Sequence, residues 1–241
     1  MKLNKMKNRT AIWPSLWLCL VAAGAGAQEV TTTTSWDGLV EVKPKRMDAA
    51  FLMPGADFRP YKKLMLDPAA VAFRKDWMKN VNRSTPLSQR ITQEDAEKIA
   101  AAVRDNFSEV FTDAFREAGY DIVSAPGADV LRLRPGIIDL YIAAPDKQTA
   151  ARSRTYTMEA GEATLFLEAR DSSSGALLGR VVDQRATRNT GSLTFTNQVT
   201  NLSDFRALFR KWADISVKGL DNLRELSPVP EDLKPGQKLG P

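Results

Sequence analysis

The sequence predicts an α+β domain, an antiparallel-rich β-sheet with two main amphipathic helices packed on one face. Two observations carry this reading. Apolar residues recur at helical spacing from 92 to 119 and again from 203 to 226, and the segments before and between these stretches alternate apolar with polar residues.

In chain order, residues 61–73 (YKKLMLDPAAVAF) suit a strand interrupted or bulged at Pro68. A polar stretch, 74–89, follows. Thr92 with Asp95 three residues later forms a capping-box pattern. Ala96, Ile99, Ala100, Val103, Phe107, Val110, Phe111, Ala114, Phe115 and Ala118 make one stripe, and Gly119 stops it. The run Phe107, Phe111, Phe115 is read as core.

In residues 129–143 the apolar positions change parity, from Leu131 and Leu133 to Ile138, Leu140 and Ile142. A strand face cannot change parity without an extra residue, so a bulge or break is expected at Pro135-Gly136. Residues 156–170 change parity around Gly161. The turn Asp171-Ser172-Ser173-Ser174-Gly175 should close a hairpin onto 176–188, with Leu165 and Leu167 sharing a face with Leu177 and Val181. Ser203 is the expected cap of the second helix, whose stripe runs Phe205, Leu208, Phe209, Trp212, Ile215, Leu220, Leu223 and ends before Pro228.

Around this core, four parts are expected. Residues 1–27 read as a signal peptide: Lys2, Lys5, Lys7 and Arg9, then a short apolar run, then Ala25-Gly26-Ala27 for cleavage before Gln28. Residues 28–60 read as an irregular arm anchored by Trp36, Phe51 and Leu52, 61–226 as a single α+β domain, and 227–241 as a disordered proline-rich tail. Export to the periplasm follows. The apolar run is shorter than the ~20 residues a membrane span needs. Trp17-Leu18 before Cys19 are too bulky for lipid attachment at that cysteine, so a soluble form is expected.

The charge and residue inventory narrows the chemistry. The chain has 34 Lys and Arg against 29 Asp and Glu, a net charge of +5. Four of the bases precede Gln28, so the chain beyond it is nearly neutral and offers no basis for nucleic-acid binding. It has no histidine, and its one cysteine lies in the leader, which removes Ser-His-Asp and Cys-His catalysis and zinc sites built on those ligands. No glycine-rich fingerprint, P-loop or nucleophile elbow is present, so no cofactor, metal site or catalytic residue is assigned.

Carboxylates remain as candidates. Asp139 is expected on the solvent side of its strand, Glu159 and Glu162 flank Gly161, and Asp183 shares a face with Arg185. The arginines Arg132, Arg134, Arg152, Arg154, Arg180, Arg185 and Arg188 read as solvent-facing strand residues, with a polyanion or lipid-headgroup surface as the alternative. The sequons at Asn82, Asn106 and Asn201 are read as chance matches.

The runs YKKLMLDPAAVAF, ITQEDAEKIA, GYDIVSAPGADVLRLRPGIIDL and DSSSGALLGRVVDQR resemble the bacterial envelope domain-of-unknown-function family 3313, over about residues 36–226. The resemblance implies an exported α+β domain, often described as a lipoprotein, with no established activity. Leu18-Cys19 departs from the lipoprotein pattern. The resulting expectation is a non-enzymatic periplasmic binding or accessory protein of the envelope, its partner an envelope protein or a lipid or polyanion ligand. The alternatives are a carboxylate-dependent hydrolase, needing two converging acids, and a small apolar-ligand carrier, needing a cavity between helix layer and sheet.

Overall fold

A computed structural model describes residues 37–83, 85–142, 155–159, 161–187, 189–196 and 198–239, with side chains omitted at 155–159 and 189–202. The cleavage residues Ala25, Ala27 and Gln28, together with Cys19, Trp36, Arg152, Arg154 and Arg188, lie outside the described residues.

Eleven strands and three α-helices follow in order: β1 (Val40–Lys43), β2 (Ala49–Leu52), β3 (Lys63–Leu66), β4 (Ala70–Phe73), α1 (Trp77–Arg83), α2 (Gln93–Glu117), β5 (Asp121–Ile122), β6 (Val130–Ile142), β7 (Thr155–Glu159), β8 (Gly161–Asp171), β9 (Leu177–Ala186), β10 (Asn189–Thr196), α3 (Gln198–Leu226) and β11 (Gln237–Lys238). Nine strands form one sheet in the order β11-β1-β2-β9-β8-β6-β3-β5, with β4 also on β6, while β7 and β10 pair separately.

The fold is α+β, but the sheet is mixed rather than antiparallel-rich. The ladders β1–β2, β2–β9, β8–β9 and β6–β8 are antiparallel. The pairs β1–β11, β3–β5, β3–β6 and β4–β6 are parallel. Parallel neighbours need a crossover connection, and α2, between β4 and β6, supplies it. The interruption expected at Pro68 separates β3 from β4, which pair successively along β6.

Helix α2 begins where the sequence marks it. Thr92 caps it, with the Asp95 amide donating to Thr92 Oγ1 at 3.2 Å and the Thr92 amide donating to Asp95 Oδ2 at 2.8 Å. Gly119 follows its end at φ +87°, where an L side chain would be strained. Phe107, Phe111 and Phe115 are buried, and Phe107 meets Phe209 of α3 edge-on at 5.4 Å. Arg206 joins Glu109 at 2.6 Å, and the Tyr120 hydroxyl donates to Asp221. Glu109 therefore faces the neighbouring helix at the surface.

Several local expectations change. Helix α3 starts five residues before Ser203, which is an exposed interior position. Residues 198–202 include β-branched Val199 and Thr200, whose penalty of tenths of a kcal/mol is too small to stop a helix. The polar stretch contains α1, whose Trp77 is buried and stacked on Phe73 at 4.2 Å, donating from Nε1 to the Ile142 carbonyl at 3.0 Å.

The bulge in β6 sits at Asp139 and not at Pro135-Gly136. The register against β8 runs unbroken from Leu131 to Ile138 and shifts only before Tyr141. Leu131, Leu133 and Ile137 point inward, Ile138 is 38% exposed, and Leu140 and Ile142 are again buried. Asp139 takes φ +51°, a conformation that aspartate tolerates better than most residues.

In the hairpin, Leu167 faces Val181, and a shift between Ala169 and Arg170 turns Leu178 rather than Leu177 toward the core. At Gly161 a Cβ would lie 2.2 Å from the Tyr141 carbonyl oxygen and 2.8 Å from Phe205 Cζ, so glycine lets α3 and β6 close on this strand.

The described residues of the arm, 37–60, and of the tail, 227–239, add strands to the sheet. Within the arm, β1 and β2 carry buried Val40, Val42 and Leu52, with Phe58 buried beyond them. In the tail, β11 joins β1, and the Val229 amide donates to the Ala56 carbonyl at 2.8 Å, with Val229 and Leu233 buried. Prolines there remove donors only at their own positions, and the residues between them still pair and pack.

Candidate functional site

Cross-strand pairing places side chains from four strands in rows beneath α3. One row runs Ala50, Val181, Leu167, and the next Leu52, Gly179, Ala169, Leu133. Above them, Ile215, Gly219 and Leu223 of α3 recur every four residues and so share one helix face. Small side chains meet here: Ala50 and Ala169 on the floor, Gly219 on the roof. A Cβ at Gly219 would meet nothing within 4 Å.

The result is a cleft of about 450 Å³ between α3 and the sheet, lined also by Met47, Phe115 and Leu239. Its volume falls in the roughly 300–1,000 Å³ range of small-molecule sites, which are predominantly apolar with a few placed polar groups. Ser216 Oγ, buried on the cleft wall, has no hydrogen-bond partner among the described residues.

Two ion-pair networks brace the sheet, one on each of its faces. Asp183, 0% exposed, lies on the inward face of β9 opposite Leu165. Trp212 Nε1 donates to its Oδ2 at 2.7 Å, the Asp48 amide donates to Oδ1 at 3.1 Å, and the Arg185 guanidinium donates to both oxygens. Arg185 also donates to the Arg46 carbonyl at 2.7 Å. One carboxylate thus ties the sheet to the cleft's roof and to the β1–β2 turn.

On the other side, Glu168 accepts from Arg180 at 2.9 Å and from Arg170 at 2.9 Å, and Arg180 also pairs with Asp37 at 2.6 Å. Burial pushes Glu168 up, but the arginine hydrogen bonds outweigh it and hold its carboxyl below the usual range. Glu168 and Asp183 are the buried carboxylates of the described residues, and both are taken by arginine.

Ionisation of Glu168 and Tyr120 is expected to contribute to the pH dependence of stability. A carboxyl with a lowered folded value adds stability above its unfolded value, about 4.3, and that stability is lost as pH falls through the folded value. Tyr120 behaves oppositely: burial, then its hydrogen bond to Asp221, push it up to about 12. Its contribution is complete below the unfolded value of about 10 and is lost as pH rises toward 12. The urea midpoint is expected to fall below about pH 4 and above about pH 10, with the alkaline limb shallower in Tyr120→Phe. An unchanged alkaline limb in that variant would contradict the assignment.

The sequence candidates do not converge on the cleft. Asp139 is exposed at its bulge. Glu162 pairs with Arg74, and the Glu159 side chain lies outside the described residues. Arg132 and Arg134 share Asp67. Asn82 is used locally, bonding both ways with the Ile91 backbone, and the Asn201 side chain is not described. Among the described residues no group of three or more acidic, histidine or cysteine side chains is arranged to hold a metal. No described helix is long and apolar enough to cross a membrane.

The fold and cleft define an α+β domain with a largely apolar cleft beneath α3. The chain belongs to the family of proteins of unknown function DUF3313, whose model matches residues 29–215. No match to a curated protein was found. Among solved structures, the chain is similar to a PelC dodecamer from Paraburkholderia phytofirmans, at 11% identity and TM-score 0.34, covering 69% of this chain and 94% of that one. It is also similar to a DUF330 protein from Xanthomonas campestris, at 16% identity and TM-score 0.34, covering 74% and 89%. Both likenesses are distant.

Proposed function

We propose that this chain is an exported, non-enzymatic binding protein of the bacterial envelope that works in the periplasm and holds a small apolar ligand between α3 and the sheet. The cleft carries this reading, because its walls are predominantly apolar and its volume suits one small molecule. The paired state of Glu168 and Asp183 supports binding over hydrolysis, since acid catalysis by carboxylates needs one held protonated near neutral pH.

The test uses mature protein from the periplasmic fraction, expected by mass to begin at Gln28. Titration with neutral N-phenyl-1-naphthylamine should give a saturable, blue-shifted fluorescence rise at one site per chain. A linear or absent response would contradict the reading.

A further inference from the structure

Resting on the cleft as a ligand site, we infer that its ligand is a single-chain amphiphile with an anionic head, the chain lying under α3 and the head held at a basic rim. Lys43, Lys45, Arg46 and Lys218 border the cleft together with the already paired Arg180, against one carboxylate, Glu225. At the Arg46 and Lys218 end the cleft adjoins an open basin of about 530 Å³, which shares Arg46, Ile215 and Lys218 with it.

That basin adds Arg185, Arg210 and Lys211, with Asp214 its single acid. Arg185 is spent on Asp183, and Arg210 on Glu117 and Asp214. Arg46, Lys211 and Lys218 have no carboxylate partner among the described residues, and all three are exposed. Ile215 stands where apolar wall gives way to unmatched positive charge. A molecule that satisfies both regions needs an apolar tail and a negative head, and a purely apolar ligand would leave the cations unanswered.

The experiment displaces bound N-phenyl-1-naphthylamine with lysophosphatidylglycerol or lysophosphatidylcholine, both below their micellar concentrations, or with glycerol phosphate. Lysophosphatidylglycerol is expected to bind roughly tenfold tighter than lysophosphatidylcholine at low salt. The margin should shrink as salt screens the rim, over a distance of about 10 Å at 0.1 M. Glycerol phosphate should not displace the probe.

The double variant Arg46→Gln/Lys218→Gln, checked for an unchanged urea midpoint, should bring the two lipids to the same affinity, chiefly by weakening lysophosphatidylglycerol. Equal binding of the two lipids by the native protein, with the probe still bound, overturns the anionic-head inference and leaves the cleft reading standing. Competition by glycerol phosphate as strong as by the lipid overturns the role of the chain. Failure of probe and lipids alike overturns the cleft reading itself.

Discussion

Asp183→Ala is expected to destabilise the protein by about 3–5 kcal/mol, the scale of breaking a buried ion pair by removing one partner. The substitution leaves Arg185, the Trp212 indole N–H and the Asp48 amide without their shared acceptor. Its effects should extend past stability, because the same carboxylate holds the cleft's roof and the turn carrying Lys45 and Arg46. Asp183→Asn keeps an acceptor for Trp212 but loses the charge that answers Arg185, so it should fall between the two. Urea unfolding checks the series. A loss below about 1 kcal/mol for the alanine variant would mean that Asp183 is not the anchor.

Phe111→Ala is expected to cost a similar amount, about 3–5 kcal/mol, for a different reason. Phe111 is fully buried, stacked on Phe107 at 3.9 Å and packed near Phe115, so truncation opens a cavity that rigid neighbours cannot close. Glu109→Ala two residues away breaks an exposed pair with Arg206 and should leave the midpoint nearly unchanged. Matching midpoints for the two variants would contradict the packing of α2.

What could be read from the sequence was local. The Thr92 capping box, the stripe of α2, the stop at Gly119 and the break at Pro68 all follow from short-range rules of helix and strand. Strand direction did not, because whether β6 runs parallel to β3 depends on whether the connection through α2 carries the chain back to the same end of the sheet, and no residue states that. The bulge at Asp139 was half legible: the change of parity was visible, but proline and glycine drew it three residues early. The arm and tail were misread because prolines outweighed the alternation in Leu39-Val40-Glu41-Val42-Lys43.

The site was less legible still. Its floor is assembled from β2, β6, β8 and β9, and the cavity arises where Ala50, Ala169 and Gly219 fall opposite one another, a coincidence of register invisible along the chain. The arginines that drew attention, Arg132, Arg134, Arg180 and Arg185, prove to be paired with carboxylates. Among the described residues, the cations without a carboxylate partner include those of Lys43-Pro44-Lys45-Arg46, a basic run that was visible but sat in a segment read as an arm.

Gly219→Leu tests the central claim most directly, because it should move stability and binding in opposite directions. A glycine inside a helix costs roughly 0.8–1 kcal/mol relative to a good helix former, and space beside Gly219 is open for a side chain. If the cleft is the ligand site, the variant unfolds at higher urea than the native protein and loses N-phenyl-1-naphthylamine binding at least tenfold. A variant that is as stable as the native protein and binds the probe with unchanged affinity would contradict the account.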